Sequence, residues 1–267
     1  MLTVVTLNLL NDLTFWSERA PLIVQNLRAL SPDLIAFQEV ALPHNNAVWL
    51  AKQLEDYSIY LCPYSNHRGD REGLAILSRL PVERHEIFEL GAQSRVAQRL
   101  TIHHAGHHWM FVNTHLFWSP VDDPVRMRQV ERILAWTPTH VHSIICGDFN
   151  SMPYYRAIKL IKHRFISAYE KFHGHEPEYT APTPLKRGPG LRNSARRAAL
   201  QALGRIAHQP NPSWRDTVDY IFVNPPIQIL DCQITMNQPS PADEEIYPSD
   251  HLGLMAKLDL PAAESNQ

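Results

Sequence analysis

The strongest constraint on this chain is a pattern that recurs along it: a short apolar run that ends in amide, carboxylate or imidazole side chains. Leu34-Ile35-Ala36-Phe37 runs into Gln38-Glu39, Trp109-Met110-Phe111-Val112 into Asn113-Thr114-His115, and Ser143-Ile144-Ile145-Cys146 into Gly147-Asp148-Phe149-Asn150. Leu2 to Leu10 has the same character, with Asn8 towards its far end, and Leu74-Ala75-Ile76-Leu77 adds another apolar run. Runs this short, without polar alternation, fit strands buried on both faces rather than helices.

Such strands need apolar cover, and three stretches predict helices that supply it. Pro21 with Leu22, Ile23, Leu27 and Leu30 predicts a helix opening at the proline and stopped by Ser31-Pro32-Asp33. Asp122, Asp123 and Pro124 predict the cap and first turn of a second, with Met127, Val130, Ile133 and Leu134 on one face, and Ser151-Met152-Pro153 opens a third through Ile158 and Ile161. Val218 to Val223, Ile227 to Ile234 and Leu252 to Leu260 read as late strands, with Ser249-Asp250-His251 just before the last. Strands alternate with helices, yet several neighbours are joined by short turns. The expectation is therefore a four-layer α/β sandwich, two mixed β-sheets packed face to face with helices outside.

The 267 residues fit one domain, 1–267, with a basic insertion around 182–212. Between Tyr179 and Arg215 there is no acidic residue, while Lys186, Arg187, Arg192, Arg196, Arg197 and Arg205 are basic, and a short helix is expected near Ser194 to Ile206. Overall, Lys plus Arg is 25 against 27 for Asp plus Glu, so the whole surface is not a polycation for coating nucleic acid. Cys62, Cys146 and Cys232 lack metal-knuckle spacing and read as free buried thiols. The first residues carry no cationic lead-in or small-residue cleavage site, and no apolar run nears the roughly 20 residues needed to span a bilayer. We expect a cytoplasmic protein without stable membrane association, and no protein partner is implied.

Singly, the polar strand ends are ambiguous. Together, Asn8, Glu39, Asn113, His115, Asp148, Asn150, Asp219, Asp250 and His251 form a set. If their strands share packed sheets, the ends converge on one edge, where several carboxylates repel one another unless a cation joins them. Oxygen donors without a cysteine cluster favour magnesium, with manganese able to substitute, over structural zinc. Carboxylate-held magnesium beside imidazole suits attack of water on a phosphate ester. Serine hydrolysis and nucleotide-triphosphate motor chemistry lack their motifs, Gly-x-Ser-x-Gly and Gly-x-x-x-x-Gly-Lys. His103, His104, His107 and His108 flank Ala105-Gly106 and read as a solvated hairpin turn.

Seven short signatures occur in order: Leu7-Asn8-Leu9-Leu10, Phe37-Gln38-Glu39-Val40, Gly73 to Arg79, Asn113-Thr114-His115-Leu116, Gly147-Asp148-Phe149-Asn150, Asp219-Tyr220-Ile221-Phe222 and Ser249-Asp250-His251. In these the chain resembles the endonuclease/exonuclease/phosphatase superfamily, of the deoxyribonuclease I and exonuclease III kind. The resemblance implies that Glu39 is the principal magnesium ligand with Asn8 and Asp250 beside it, and that Asp148 and Asn150 orient the attacking water and contact the phosphate. It implies that His251, paired with Asp219, acts as general base or as a charged phosphate contact, and that His115 stabilises the pentavalent oxyanion; which histidine moves the proton stays open.

Phe117-Trp118-Ser119-Pro120 after His115, Met152-Pro153 after Asn150 and Pro248 before Ser249 are similar to the deadenylase and nocturnin-like branch. In that branch an aromatic-proline stretch borders the base pocket, so Trp118 and Pro120 are expected substrate contacts, together with Asn113 and with Arg71 at the rim. The implied activity is a magnesium-dependent phosphodiester hydrolase, a 3′ exonuclease-like nuclease on single-stranded nucleic acid or short oligonucleotides. The alternative is a phosphomonoesterase or sphingomyelinase-like phosphodiesterase on a small-molecule or lipid substrate.

Overall fold

The computed structural model describes residues 1–65, 70–186 and 215–261. Two six-stranded mixed sheets face each other. In the first the order is β11 (Gln228–Thr235), β12 (Gly253–Asp259), β1 (Leu2–Asn8), β2 (Leu34–Ala41), β4 (Glu72–Ser78) and β3 (Ser58–Pro63). The second runs β5 (Val82–Gly91), β6 (Arg95–His104), β7 (His107–His115), β8 (His142–Asp148), β10 (Asp219–Val223) and β9 (Ile166–Ser167). The helices are α1 (Trp16–Leu30), α2 (Asn46–Leu54), α3 (Pro124–Trp136), α4 (Arg156–Ile161) and α5 (Ala168–His173).

Side-chain alternation along the central strands builds three apolar layers. Val4, Ala36 and Ala256 point inward against Leu100, Phe111, Ile144 and Ile221 of the opposing sheet. Val5, Ile35 and Leu77 point outward beneath Ile23, Leu27 and Leu50 of α1 and α2. On the far side Val112, Ile145 and Phe222 meet Val130, Ile133, Ile158 and Ile161 of α3 and α4. Each Val, Leu, Ile or Phe among them contributes about 1.5 to 3 kcal/mol when fully buried, which explains why β1, β2, β7 and β8 read as continuous apolar runs. The helix–sheet–sheet–helix order is the expected sandwich.

Several elements differ from expectation. α1 begins at Trp16, five residues before Pro21, because Arg19 donates its amide to Phe15 O (2.9 Å) and its buried guanidinium to Leu9 O (2.9 Å) and Pro248 O (3.1 Å). Pro21 then falls inside the helix on its exposed side. α4 begins at Arg156, since Ser151 to Tyr155 close as a turn with Tyr155 N on Met152 O (2.9 Å). β3, β5 and α2 carry no signal recognised in the sequence; β5 is a charged, half-exposed edge strand whose polarity protects an open sheet edge. The histidine-rich hairpin is present, with His103 opposite His108 and Ala105-Gly106 in the turn. The expected helix near 194–206 lies outside the described residues. All three cysteines are buried and free, and among the described residues no helix is long and apolar enough to cross a membrane.

β1 and β2 run parallel, as do β7 and β8, while β4, β12, β6 and β10 run against them. The first four strands therefore end, and the other four begin, at one end of the sandwich.

Candidate active site

That end gathers the polar residues of both sheets. On the second sheet, strand register sets His115 beside Asp148 and Asp148 beside Asp219. His115 Nε2 lies 3.2 Å from Asp148 Oδ2. His251, arriving from the first sheet, puts Nδ1 2.9 Å from Asp219 Oδ2. Two carboxylates on neighbouring strands are thus flanked by an imidazole on each outer side. Asn8, also from the first sheet, donates Nδ2 to Asp148 Oδ2 at 3.1 Å and ties the two sheets together.

Glu39 reaches this line through a bulge. Phe37 pairs with Ala75 and Val40 with Gly73, so Gln38 and Glu39 together oppose Leu74. In a regular strand Glu39 would share the outer, helix-covered face with Phe37; the extra residue gives that face to Val40 instead and releases the carboxylate. Glu39 adopts a left-handed φ of 52°, a strain of about 1 to 3 kcal/mol that the surrounding ladder holds in place. Its Oε2 accepts the Asn11 amide at 3.1 Å. Ligand atoms of Glu39, Glu72 and His115 lie within 4.8 Å of one another, as do those of Asp148, Asp219 and His251, and the His115–Asp148 contact joins the two groups.

The electrostatics follow from burial. Asp148 is 1% exposed, and burial, then the charge of Asp219, pushes its carboxyl up to about 7. For His251 burial opposes the charged ring, but the Asp219 carboxylate, followed by Asp250 and Asp148, outweighs it and raises the imidazole well above its ordinary value. Asn150, at φ 47°, donates its backbone amide to Asp148 Oδ1 (2.8 Å) and Nδ2 to Leu116 O (3.1 Å). Gly147 allows β7 and β8 to approach: at φ 132°, a Cβ there would lie 2.0 Å from Thr114 O.

A strap before the basic segment braces the His251 side. Thr180 Oγ1 accepts the amides of Val218 (3.0 Å) and Asp219 (3.1 Å), Thr180 O accepts Leu252 N (2.7 Å), and Thr183 Oγ1 donates to Ser249 O (2.6 Å). Residues 182–186 of the expected insertion belong to this strap, and 187–212 lie outside the described residues.

The remaining expected residues are placed as follows. Asp250 is half-buried with its carbonyl on Thr183 N (2.7 Å), and stands outside both ligating groups while facing His251 with its charge. Asn113 is fully buried between the sheets, accepting from Gln38 Nε2 (2.8 Å) and donating to Phe37 O (2.9 Å) and Ala75 O (3.1 Å); its carboxamide is spent on joining the sheets beneath the site. Trp118 and Pro120 are half-buried in a loop held from three sides: Gln93 exchanges two bonds with the Trp118 backbone (2.9 and 3.1 Å), Gln129 takes Phe117 N (2.8 Å), and Arg126 donates to Ser119 O (2.9 Å). Arg71 is exposed beside Glu72.

Sequence reasoning passed over Glu72, Tyr64 and Arg95. Glu72 bounds the Leu74–Leu77 run on its leading side, which an antiparallel strand brings to the same end, so a search at both ends of each apolar run finds it. Tyr64 and Arg95 carry no comparable mark.

Residues 5–251, which include every side chain of the site, match the Endonuclease/Exonuclease/phosphatase family. The chain belongs to this family. It is 27% identical over 186 residues to the CCR4-Not complex 3'-5'-exoribonuclease subunit Ccr4 of Debaryomyces hansenii, covering 59% of this chain and 21% of that one. It therefore spans about a fifth of the length of this curated relative. Among solved structures, the human Nocturnin catalytic domain with bound sulfate superposes with a TM-score of 0.73 at 21% identity, over 97% of this chain and 93% of that one. D. rerio TDP2 complexed with single strand DNA product gives 0.76 at 17% identity, over 97% and 98%. These two likenesses show the fold.

Members of this family are hydrolytic phosphoesterases that work with a divalent metal ion. The donor set fits such an ion. Its carboxylates are hard oxygen donors set beside two imidazoles, burial and then the charge of Asp219 hold the Asp148 carboxyl near 7, and Asp219 Oδ1 is buried without a hydrogen-bond partner.

Proposed function

We propose that this protein is a magnesium-dependent phosphodiesterase that shortens single-stranded nucleic acid, RNA foremost, from its 3′ end. The observation that carries the reading is the line His115–Asp148–Asp219–His251 facing the Glu39–Glu72 pair across one end of the sandwich. Similarity to a 3'-5'-exoribonuclease subunit and the tied Trp118 loop support this substrate class. A base stacked on Trp118 would gain about 1 to 3 kcal/mol.

Glu39, with Asn8 and Asp250 nearby, would hold the ion, which when bound neutralises phosphate oxygens and polarises the leaving oxygen. Asp148 and Asn150 orient a water for in-line attack, Asp148 accepting its proton. His251, kept cationic by Asp219, binds a phosphate oxygen. His115 presents its Nε2 hydrogen, beside Asp148, to the equatorial oxygens as charge grows on them. Arg71 and Pro120 border the path of the strand.

The test is cleavage of 5′-end-labelled single-stranded RNA and DNA by the purified protein, with magnesium, with manganese and with EDTA. The expected result is a ladder that shortens from the 3′ end, faster on RNA and abolished by EDTA. An intact, metal-binding protein that leaves both polymers uncut overturns the nuclease reading and moves the site to small phosphoesters.

A further inference from the structure

We propose that Tyr64 and Arg95 are positioning residues that lock His115 into a single tautomer and ring orientation, with the hydrogen on Nε2 facing Asp148. This rests on the phosphodiesterase reading for its kinetic consequence, whereas the tautomer itself stands on the hydrogen bonds alone.

The three side chains form a buried file behind the metal-binding edge: Tyr64 is 3% exposed, Arg95 4% and His115 2%. Arg95 Nη1 lies 2.8 Å from the Tyr64 hydroxyl, and that hydroxyl lies 2.8 Å from His115 Nδ1. Donor bookkeeping leaves one arrangement. A guanidinium carries only donors, so the phenolic oxygen accepts from Arg95. The single phenolic hydrogen then points to its other close partner, Nδ1, which must be the bare nitrogen of a neutral imidazole. The ring hydrogen is thereby placed on Nε2, 3.2 Å from Asp148 Oδ2. Burial raises the Tyr64 hydroxyl well above its ordinary value, so the group keeps the hydrogen it donates.

Arg95 is held in turn. Its guanidinium stands 5.1 Å from the Tyr64 ring centre and 3.9 Å from Glu72, so the cation that aims the phenol also leans on a carboxylate of the site. A charge this deeply buried is costly unless its partners are fixed. Here they are the phenol that orients one catalytic residue and the acid beside another. The Tyr64 and His115 rings meet edge to face at 6.2 Å, which leaves the imidazole little freedom to flip.

The deciding variant is Tyr64→Phe, which removes one oxygen and keeps the ring. Loss of an outer hydrogen bond to a metal-site imidazole costs about 10- to 100-fold in metal affinity or activity, and a loss of that size is expected here. With magnesium and a single-stranded RNA oligonucleotide, kcat is expected to fall by that factor while KM and the melting temperature stay near wild type. In parallel, protein labelled with 15N histidine, with the His115 signals assigned by their loss in His115→Gln, reads the tautomer directly. Wild type is expected to show the Nε2–H form, and Tyr64→Phe a mixture or the Nδ1–H form.

An unchanged tautomer in Tyr64→Phe overturns the proposal, as does a changed tautomer with an unchanged kcat. If wild type cuts no RNA, the nuclease reading falls separately, and the nitrogen spectra alone decide whether Tyr64 sets His115.

Discussion

His115 and His251 are the same residue type at two ends of one line of side chains, yet their surroundings give them different work. His251 comes from the first sheet and crosses to Asp219 on the second, so its Nδ1 meets a carboxylate and its ring is held cationic. His115 shares a sheet with its acid, Asp148, and its Nδ1 meets a phenol. The partner at Nδ1 therefore separates a fixed positive charge from an oriented neutral donor. Both face the same pair of adjacent carboxylates, and the fold tells them apart through what stands behind each ring.

The largest effect is expected where the charge is removed. Asp219→Asn keeps the shape beside His251 but exchanges an acceptor-only carboxylate for an amide, so the imidazole loses both its charge support and its fixed orientation. A loss of about 10³- to 10⁴-fold in kcat is expected, by analogy with other His–Asp pairs. His115→Gln should cost less, about 10²- to 10³-fold, the price of one donor to a developing oxyanion. Steady-state rates on labelled RNA check both. Equal losses in the two variants would erase the distinction between the two histidines, and a larger loss at His115 would reverse it.

Much of this comparison was legible in the sequence, for a physical reason. A strand buried on both faces must be apolar along its length, so a polar side chain at its end stands out, and Asn8, Asp148, Asp219 and His251 were marked that way. Features that depend on contacts across the sandwich were not legible. The bulge that frees Glu39 appears only when Val40 is seen on the face that Glu39 would otherwise take. Tyr64 lies just past the end of β3, a six-residue edge strand whose side chains are mostly exposed or half-buried, and Arg95 opens β6 as one arginine among many. A polar residue at a strand end reads the same whether it faces solvent or, as Asn113 does, the opposing sheet.

Gly147 tests whether backbone spacing maintains the His115 half. Alanine there meets Thr114 O on the strand that carries His115, and must also adopt a φ of 132°. Strain and overpacking together should destabilise Gly147→Ala by about 2 to 4 kcal/mol, read as a lower urea midpoint. Because β7 is pushed from β8 while the His251–Asp219 contact lies on the other side of β8, the folded fraction should lose RNA cleavage in the manner of His115→Gln. A stable, fully active Gly147→Ala would show that the close approach is not what sets the His115–Asp148 distance.

The smallest effect separates the two halves by pH. In metal-free protein, burial and Asp219 hold the Asp148 carboxyl near 7, so the folded state keeps a proton that the unfolded chain releases above about 4. Stability from this group is greatest at low pH and falls as pH rises from about 4 to 7. His251 is also raised, but from an ordinary value of 6.5, so its contribution is intact below that pH and declines only above it, through the folded value. The two windows barely overlap. Asp148→Asn should therefore flatten the lower window and keep most of the upper one, which rests first on Asp219, gaining on the order of 1 to 3 kcal/mol over wild type near pH 7 in EDTA. Denaturant midpoints between pH 4.5 and 9 measure this. Parallel curves for the two proteins below pH 7 would mean that Asp148 is not held protonated, and that the line of carboxylates is relieved by some other group.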